Sequence, residues 1–156
     1  MANLRAFNHT INVVAYKKNN INYAATIAWA MQADYDKILL LMGSQSVTGN
    51  NIEKGDVIGV SALSKEQLSV ANQLGDNHSG EVDKLAGIKV NVENTAITIE
   101  NASREMVVRV IDVLKLEKIE EDNVIYGEVI SFKENNDSFL NYIEYLSKEW
   151  NLEVRS

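Results

Sequence analysis

The sequence predicts a mainly β protein, a β-barrel with a few peripheral helices. Many short apolar runs are separated by turn residues, and strands do not alternate regularly with helices, which argues against a parallel α/β sheet. A chain of 156 residues has the size of one domain and buries roughly 70% of its unfolded surface. We therefore expect a single domain over residues 1–156, with a core that needs no disulfide or metal.

Three apolar runs near the start of the chain predict strands over Phe7–Tyr16, Ile21–Ala33 and Lys37–Gly43. The polar stretch Lys17–Asn20 between the first two runs predicts a turn. Thr48–Lys54 predicts a helical turn that ends at the glycine following it.

The middle of the chain predicts one strand and one helix. The strand covers Asp56–Leu63, and a glycine interrupts its alternation. Ser64 and Gln67 form a capping box, and Gly75 provides a stop signal. The helix between these signals has apolar residues at helical spacing, namely Leu68, Ala71 and Leu74.

The second half of the chain predicts four strands and a C-terminal helix. Two short strands cover Ile88–Val92 and Ala96–Glu100, and two longer strands cover Met106–Leu116 and Val124–Phe132. The helix starts at about Asp137. Its apolar face consists of Phe139, Ile143, Leu146 and Trp150.

Charge and composition argue against several functions. The net charge is −7 and the basic residues are scattered, which disfavours nucleic acid as a partner. No apolar run approaches the roughly 20 residues that span a bilayer, and the N-terminus lacks a secretory apolar segment, so we expect a soluble, cytoplasmic protein without a membrane partner. His9 and His78 lack metal-ligand spacing, which predicts no metal site. Because cysteine is absent, redox chemistry requires a bound organic cofactor or another metal.

The stretch Asn22–Ile52 indicates a binding site. It places Trp29 among small residues and then runs into a loop over residues 43–51 that is rich in glycine, hydroxyl and amide groups. Small residues let a flat ring approach the backbone, and such a loop offers N–H donors to an anion. The stretch therefore suggests a phosphorylated aromatic cofactor. The alternatives are a core or interface tryptophan and an ordinary polar turn in which Thr48 caps a helix.

Several motifs in order resemble the flavin reductase-like family of FMN-binding split barrels, which includes flavoredoxins and NAD(P)H:flavin oxidoreductases. The similarity extends over about residues 8 to 133 and ends with the stretch Glu121–Val129. The single residues that carry it are Asn22, Thr26, Trp29, Met31, Gln32, Asp36, Leu41, Thr48, Asn51, Ile52, Ser79, Gly80, Asp83 and Lys84.

This resemblance implies a homodimer of split β-barrels with FMN near the subunit interface and a C-terminal helix among the peripheral helices. The strand that carries the tryptophan would lie along the isoalloxazine ring, while the hydroxyl-rich loop and a lysine would hold the phosphate. The implied ring residues are Ala25, Thr26, Ile27, Ala28 and Trp29. The implied phosphate residues are Ser44, Thr48 and Lys84, and Asn22 and Asn51 complete the implied cofactor site. From the residues alone, Lys84 is an ordinary surface lysine.

The chain departs from the family pattern at two places. Asp36 is followed by Lys37 and Ile38 instead of the usual pair of prolines, which removes a rigid turn. Asn123 stands where many relatives have a histidine near the flavin. An amide can donate a hydrogen bond to the ring or to a nicotinamide, but it does not titrate near neutral pH. Hydride transfer to the flavin needs positioning and not a protein base, so we predict no catalytic side chain.

We therefore predict an FMN-binding oxidoreductase in which NAD(P)H reduces the flavin. The alternative is a flavoredoxin-like FMN protein that exchanges electrons with a redox partner protein and has no NAD(P)H activity of its own. A third possibility is a barrel that has lost its flavin and serves as a binding or structural protein. The related pyridoxamine-phosphate-oxidase-like barrels are a neighbouring possibility, against which the pattern from Asn22 to Trp29 argues.

Overall fold

The computed structural model describes residues 4–76 and 84–146 of the chain. Nine strands form one antiparallel sheet in which the neighbours run β3-β4-β9-β8-β5-β1-β7-β6, and β2 pairs with β1 beside this path. The sheet curls but does not close within the described residues, as in a split barrel. The strands are β1 (Asn12–Lys18), β2 (Ile21–Ile27), β3 (Ala30–Asp34), β4 (Lys37–Met42), β5 (Val57–Ala62), β6 (Val90–Glu93), β7 (Ala96–Ile99), β8 (Arg104–Lys115) and β9 (Asn123–Glu134).

Three helical segments lie outside the sheet. Helix α1 (Val47–Asn50) is a single turn, and helix α2 (Leu68–Asp76) follows a short 3-10 turn at Lys65–Gln67. The third, α3, covers residues 142–146 of the described chain. No helix in residues 4–76 and 84–146 is long and apolar enough to span a membrane.

The hairpin between β1 and β2 confirms the turn predicted there. Asn19 and Asn20 both adopt positive φ values, 52° and 64°, which a two-residue type I′ loop requires and which asparagine tolerates. Lys18 pairs with Ile21 at its base. Both strands continue straight into the loop, so the turn is confined to the two asparagines and does not begin at Lys17 as predicted.

The glycine that interrupts the predicted strand Asp56–Leu63 has a packing role. A Cβ atom added to Gly59 would lie 1.9 Å from the carbonyl oxygen of Ile97 in β7. Only glycine lets β7 cross β5 this closely. The broken alternation therefore marks a close backbone approach and not the end of a strand.

Two apolar clusters cover opposite faces of β1. Val14 and Tyr16 belong to the barrel interior, together with residues of β4, β5, β8 and β9. Val13 and Ala15 point to the other face and pack beneath α2 and the C-terminal segment. Because both faces are buried, the sequence of β1 is a nearly continuous apolar run.

Several predicted elements have different bounds in the structure. The first predicted strand, Phe7–Tyr16, is β1, which begins five residues later at Asn12. The second predicted strand, Ile21–Ala33, is interrupted at residues 28 and 29. Before this break β2 pairs with β1, and after it β3 pairs with β4. The helical turn predicted at Thr48–Lys54 is α1, and the side chain of Ser46 caps it. The predicted C-terminal helix begins five residues late, because Phe139 and Asn141 form β-bridges with Ser64 and Thr10.

The start of α3 has a clear local cause. The Asn141 carboxamide oxygen accepts a hydrogen bond from the Glu144 N–H at 2.8 Å, and its amide donates to the Glu144 carboxylate at 3.1 Å. Asn141 is therefore the N-cap of α3, and its side-chain amide also binds the Glu144 carboxylate. Trp150, which was predicted on the apolar face of this helix, lies outside the described residues.

Candidate functional site

Thr48 and Lys84, two of the predicted phosphate residues, converge on one backbone carbonyl. The Thr48 hydroxyl donates to the Ala24 oxygen at 3.1 Å, and the Lys84 ammonium donates to the same oxygen at 2.7 Å. Thr48 is 2% exposed and Lys84 is 5% exposed. A lysine is almost never this buried unless its charge is held by polar groups. The fold therefore brings a buried cation and a hydroxyl together from positions 36 residues apart.

Thr48 is held in place from the sheet. The Tyr16 hydroxyl donates to the Thr48 carbonyl at 2.5 Å, and the Lys18 ammonium donates to the Asn51 carbonyl at 2.8 Å. Both side chains reach from β1 to the end of α1, where carbonyl groups lack helical partners. The position of Thr48 is thus set by β1 and does not depend on the loop alone.

The backbone of β2 has an open edge beside this cluster. Within the described chain, β2 pairs with β1 alone. A two-residue hairpin loop flanks a hydrogen-bonded pair, here Lys18 with Ile21, and such pairs recur at every second residue. Every second residue from Ile21 therefore directs its N–H and C=O groups to β1. The residues between them direct theirs to the open edge: Asn22, Ala24 and Thr26.

The side chains predicted along the flavin ring lie on both faces of β2. Ala25 and Ile27 pack against the barrel interior, while Ala28 packs against the cluster beneath α2. The Thr26 hydroxyl donates to the Ala71 carbonyl at 2.8 Å and so ties β2 to α2. The side chains of this strand are thus mostly used for packing. Its backbone edge is the part that remains open to a ligand.

Trp29 lies at the break between β2 and β3. Its side chain is 42% exposed, and its ring meets Tyr142 edge-on with centroids 6.4 Å apart. The Trp29 carbonyl accepts a hydrogen bond from the N–H of Leu41 at 2.9 Å, which fixes the backbone. The backbone of Trp29 is therefore fixed, while its indole is partly exposed to solvent.

Ser44, the third predicted phosphate residue, contacts a carboxylate of the protein itself. Its N–H donates to Asp122 at 2.9 Å, and its hydroxyl donates to the same carboxylate at 3.1 Å. The Ser44 backbone and the Lys115 ammonium together lower the pKa of Asp122 to about 2. Burial raises the pKa of the neighbouring Glu121. At Ser44 the loop therefore binds a carboxylate of the protein itself, and phosphate binding by this loop stays a prediction.

Asn123 is buried next to this contact. It is 7% exposed, and its carboxamide oxygen accepts a hydrogen bond from the Lys115 ammonium at 3.1 Å. It pairs with Met42 across β4 and β9, immediately before the loop that leads to Thr48. Asn123 therefore lies beside the start of the loop that leads from β4 to Thr48.

The contacts described for Asn22 and Asn51 are with residues other than Ala24, Thr48 and Lys84. Asn22 is half-buried near the hairpin and pairs with Lys17. The Asn51 amide donates to the Val47 carbonyl at 2.7 Å, at the C-terminal end of α1. The structure thus gives Asn51 a helix-ending role. Only the backbone of Asn22 faces the open edge of β2.

A groove of about 590 Å³ lies over β3, β4, β9, β8 and β5. None of the eleven predicted cofactor residues lines it. Three exposed apolar side chains, Met31, Tyr35 and Phe132, border it, and two of the motif residues, Gln32 and Asp36, lie in its wall. The groove is therefore a second feature of the surface, separate from the cluster at Ala24.

Sequence reasoning missed four participants in this region: Tyr16, the Ala24 carbonyl, Lys115 and Asp122. Tyr16 and Lys115 lie in predicted strands and Asp122 lies between two of them, but no local sequence pattern predicts their contacts with segments distant in the chain. A backbone carbonyl has no sequence signal at all. The residues that the structure describes contain no cluster of histidine and acidic side chains that could hold a metal.

Comparisons with known proteins agree with this fold. A family model described as a flavin reductase like domain matches residues 4–149. No curated protein sequence matches the chain. Solved structures with the same fold include the NADH:FAD oxidoreductase of Streptomyces globisporus, with a TM-score of 0.74, 17% identity, and coverage of 82% of this chain and 76% of that one.

Two further structures extend this comparison. The FMN-binding protein of Thermus thermophilus has a TM-score of 0.75 at 16% identity and covers 91% of both chains. The flavoredoxin of Methanosarcina acetivorans has a TM-score of 0.71 at 16% identity, covering 85% of this chain and 72% of that one. At these identities the structural likeness establishes the fold.

Proposed function

We propose that this chain, which belongs to the flavin reductase-like family, binds FMN and passes electrons from NAD(P)H to it. The family is that of flavin-related oxidoreductases. The observation that carries the proposal is the convergence of Thr48 and Lys84 on the Ala24 carbonyl, at the open edge of β2. A buried cation beside an open strand edge suits a ligand with a phosphate at one end and a flat polar ring at the other.

Lys84 and Thr48 would hold the phosphate. An ammonium binds phosphate oxygens by charge-assisted hydrogen bonds, which are stronger when the site excludes water. Ser44 would contribute indirectly, because its bond to Asp122 fixes one end of the loop. The phosphate site is thus proposed at Lys84 and Thr48, with Ser44 supporting the loop.

The open edge of β2 would hold the ring. The N–H and C=O groups of Thr26 face this edge, and the described chain shows no backbone partner for them there. A flavin ring has both acceptors and a donor on its pyrimidine side, so an exposed strand edge complements it. The half-open indole of Trp29 would cover the end of the ring and shield it from water.

FMN, when bound, supplies the hydride and electron chemistry, and the chain supplies position and shielding. Asn123 does not titrate near neutral pH. The proposed role of these residues is therefore to orient the two reactants and not to transfer a proton. Orientation alone can supply several kcal/mol of the barrier reduction.

The groove bordered by Met31, Tyr35 and Phe132 is the surface that we propose for the homodimer. Apolar patches that face water in a monomer commonly mark interfaces. Phe132→Glu should shift the protein from dimer to monomer in sedimentation equilibrium. Val92 is equally exposed but lies on β6, far along the sheet, so Val92→Glu is the matched control and should leave the dimer intact.

A flavoredoxin-like electron carrier is the second candidate. The half-exposed Trp29 favours it, because an exposed aromatic side chain beside a flavin offers a docking point to a redox partner protein. Both candidates bind FMN and differ in the electron donor. A carrier would be reduced by its partner and not by NAD(P)H.

The deciding experiment has two stages. Purified protein should be yellow and should release FMN on heating, and a colourless protein that ignores added FMN would refute both candidates. Stopped-flow mixing with NADH or NADPH should then bleach the flavin absorption within seconds. A protein that keeps its flavin oxidised for minutes in the presence of both nucleotides would refute the NAD(P)H reductase and leave the electron carrier as the candidate.

A further inference from the structure

Lys84 is held at its two ends by different elements of the fold. Its ammonium donates to the Ala24 carbonyl on β2 at 2.7 Å. Its own carbonyl accepts a hydrogen bond from the Gln73 side chain on α2 at 2.8 Å. The first contact fixes the charged end of the lysine, and the second fixes the backbone from which its side chain starts.

The Gln73 amide binds two carbonyls of one short segment. Its Nε2 atom lies 2.8 Å from the Lys84 oxygen and 3.0 Å from the Ala86 oxygen. A carboxamide nitrogen carries two N–H groups, so one is available for each oxygen. Because carbonyl oxygens only accept hydrogen bonds, the amide atom that faces them is the nitrogen. Gln73 therefore bridges two backbone positions with one side chain.

The segment that follows Lys84 is a turn. The Ile88 N–H donates to the Leu85 carbonyl at 3.0 Å, and Gly87 has a φ of 80°, as the third position of a type II turn requires. The Leu85 carbonyl thus belongs to the turn, while the carbonyls on either side of it, those of Lys84 and Ala86, bind the amide on α2. The backbone at Lys84 is therefore tied to the helix by a side chain.

Helix α2 is itself fixed to β2. The Thr26 hydroxyl donates to the Ala71 carbonyl at 2.8 Å. Ala71 and Leu85 belong to the same buried cluster, which packs the helix against the segment that carries Lys84. The contacts therefore form a closed circuit, from β2 through α2 to Lys84 and back to β2 at Ala24. This circuit fixes Lys84 relative to the open edge of β2.

We propose that Gln73 is a positioning residue, which holds the backbone of Lys84 so that its ammonium reaches the phosphate of bound FMN. This inference rests on the proposed FMN site. A lysine side chain has a flexible stem, and ordering it costs conformational entropy. A backbone that is already fixed leaves less to order when the ligand binds, which favours affinity.

The first test compares FMN with riboflavin, which has the same ring and no phosphate, by fluorescence quenching. Gln73→Met keeps a long side chain and a good helix former but cannot donate, so it should fold. We expect it to weaken FMN binding about fivefold and to leave riboflavin binding unchanged. Asn72→Ala is the matched control. It removes a carboxamide from the same helix, one for which the described residues show no side-chain hydrogen bond, and should bind both ligands like the wild type.

A second test does not measure ligand affinity. Limited acetylation of the purified protein with acetic anhydride, followed by mass spectrometry, reports how accessible each lysine is. Lys84 is 5% exposed and should react slowly in the wild type, whereas the exposed Lys89 should react fast. Gln73→Met should raise the rate at Lys84 severalfold and leave the rate at Lys89 unchanged, and Asn72→Ala should change neither.

A positioning role also predicts coupling between Gln73 and Lys84. In a Lys84→Met background, Gln73→Met should have no further effect on FMN binding, because the ammonium that it places is gone. A merely structural role of Gln73 would weaken FMN and riboflavin equally, and its effect would persist in that background.

The outcomes separate this inference from the proposed function. If the wild-type protein binds neither FMN nor riboflavin, the proposed function fails, and the phosphate role of Gln73 fails with it. If the wild type binds FMN, and Gln73→Met either binds it as tightly or loses both ligands equally, the positioning role is wrong while the FMN site stands. Unchanged acetylation of Lys84 in Gln73→Met would overturn the hold on its backbone, whether or not the protein binds flavin.

Discussion

Replacing Tyr16 by phenylalanine removes one buried hydroxyl from the support of the proposed phosphate site. That hydroxyl donates to the Thr48 carbonyl at 2.5 Å. The ring itself stays in place, because it stacks on Tyr23 with centroids 5.2 Å apart and planes 22° apart. The change therefore isolates one hydrogen bond between β1 and α1 and leaves the packing of the barrel interior intact.

The magnitude of this change follows from the burial of the bond. A buried hydrogen bond contributes about 0.5–1.5 kcal/mol net to the free energy of unfolding. In a chain of this size, 1 kcal/mol corresponds to about 2–4 °C in Tm. Because Thr48 loses a support and not a ligand group, we expect the affinity for FMN to fall about threefold to tenfold.

The assay measures FMN and riboflavin binding by fluorescence quenching, together with Tm. Tyr16→Phe should weaken FMN binding, leave riboflavin binding unchanged and lower Tm by a few degrees. Tyr23→Phe is the matched control. It removes the same atom from the stacked neighbour, for which the described residues show no hydroxyl hydrogen bond, and should bind both ligands like the wild type.

High pH gives an independent check of the buried hydroxyl. Burial, with the nearby Tyr23 and Asp56 charges, raises the pKa of Tyr16 well above its usual value of about 10. Above pH 10 the unfolded chain releases this proton while the folded chain keeps it, so wild-type stability falls with a slope of up to about 1.4 kcal/mol per pH unit. Above pH 10 the difference in free energy of unfolding between the wild type and Tyr16→Phe should therefore become smaller. A Tyr16→Phe protein with unchanged FMN affinity would refute the reasoning.

Three further predictions concern charged side chains. Lys84→Met should weaken FMN binding about 10- to 100-fold and leave riboflavin binding unchanged. Lys89→Met, which replaces an exposed lysine, is the control and should bind both ligands like the wild type. Equal losses of affinity for both ligands would contradict the phosphate role of Lys84. Burial alone would raise the pKa of Glu105, but three hydrogen bonds to its carboxylate lower it. Glu105→Gln should therefore lower the free energy of unfolding by about 1–3 kcal/mol in urea titrations at pH 7. The loss should be smaller below pH 4, where the wild-type carboxylate becomes protonated. The pKa of Asp122 is about 2, so it stabilises the folded state above pH 4 and this contribution disappears as pH falls towards 2. Asp122→Asn should show a flatter acid unfolding curve in circular dichroism.

Local sequence signals predicted the elements whose ends are set locally. The paired asparagines at residues 19 and 20 define the first hairpin by backbone conformation alone. The capping box at Ser64 and Gln67 is present, with the Gln67 side chain 3.0 Å from the Ser64 N–H, and it precedes a 3-10 turn before α2. Each signal acts within four residues and needs no tertiary partner.

Elements that end because of tertiary contacts were predicted less well. The run from residue 21 to 33 is uniformly compatible with a strand, and nothing in it shows that β3 must turn away to pair with β4. Phe139 has helical spacing with Ile143 and Leu146, but the bridges of Phe139 to Ser64 and of Asn141 to Thr10 delay the helix. The partners that delay the helix, Ser64 and Thr10, lie far away in the chain and leave no local signal.

The candidate site likewise has parts that the sequence predicted and parts that depend on tertiary contacts. The family pattern named Thr48 and Lys84, and the structure places both on one carbonyl, which no periodicity could have indicated. The loop composition predicted anion binding, yet it could not show that Asp122, 78 residues away, binds Ser44. A sequence shows which groups can donate, and the fold determines which acceptor reaches them first.

An unpaired strand edge is also a template on which another chain can add a strand. Proteins usually block such edges with proline, bulges or charged side chains. The segment Ile21–Ile27 has no charged residue, and the whole sequence contains no proline. At Ala24 the side chains of Thr48 and Lys84 occupy this edge. The bound flavin itself would cover the rest of it. Cofactor supply during expression would then decide how much protein escapes aggregation, and a cofactor-free preparation should precipitate first.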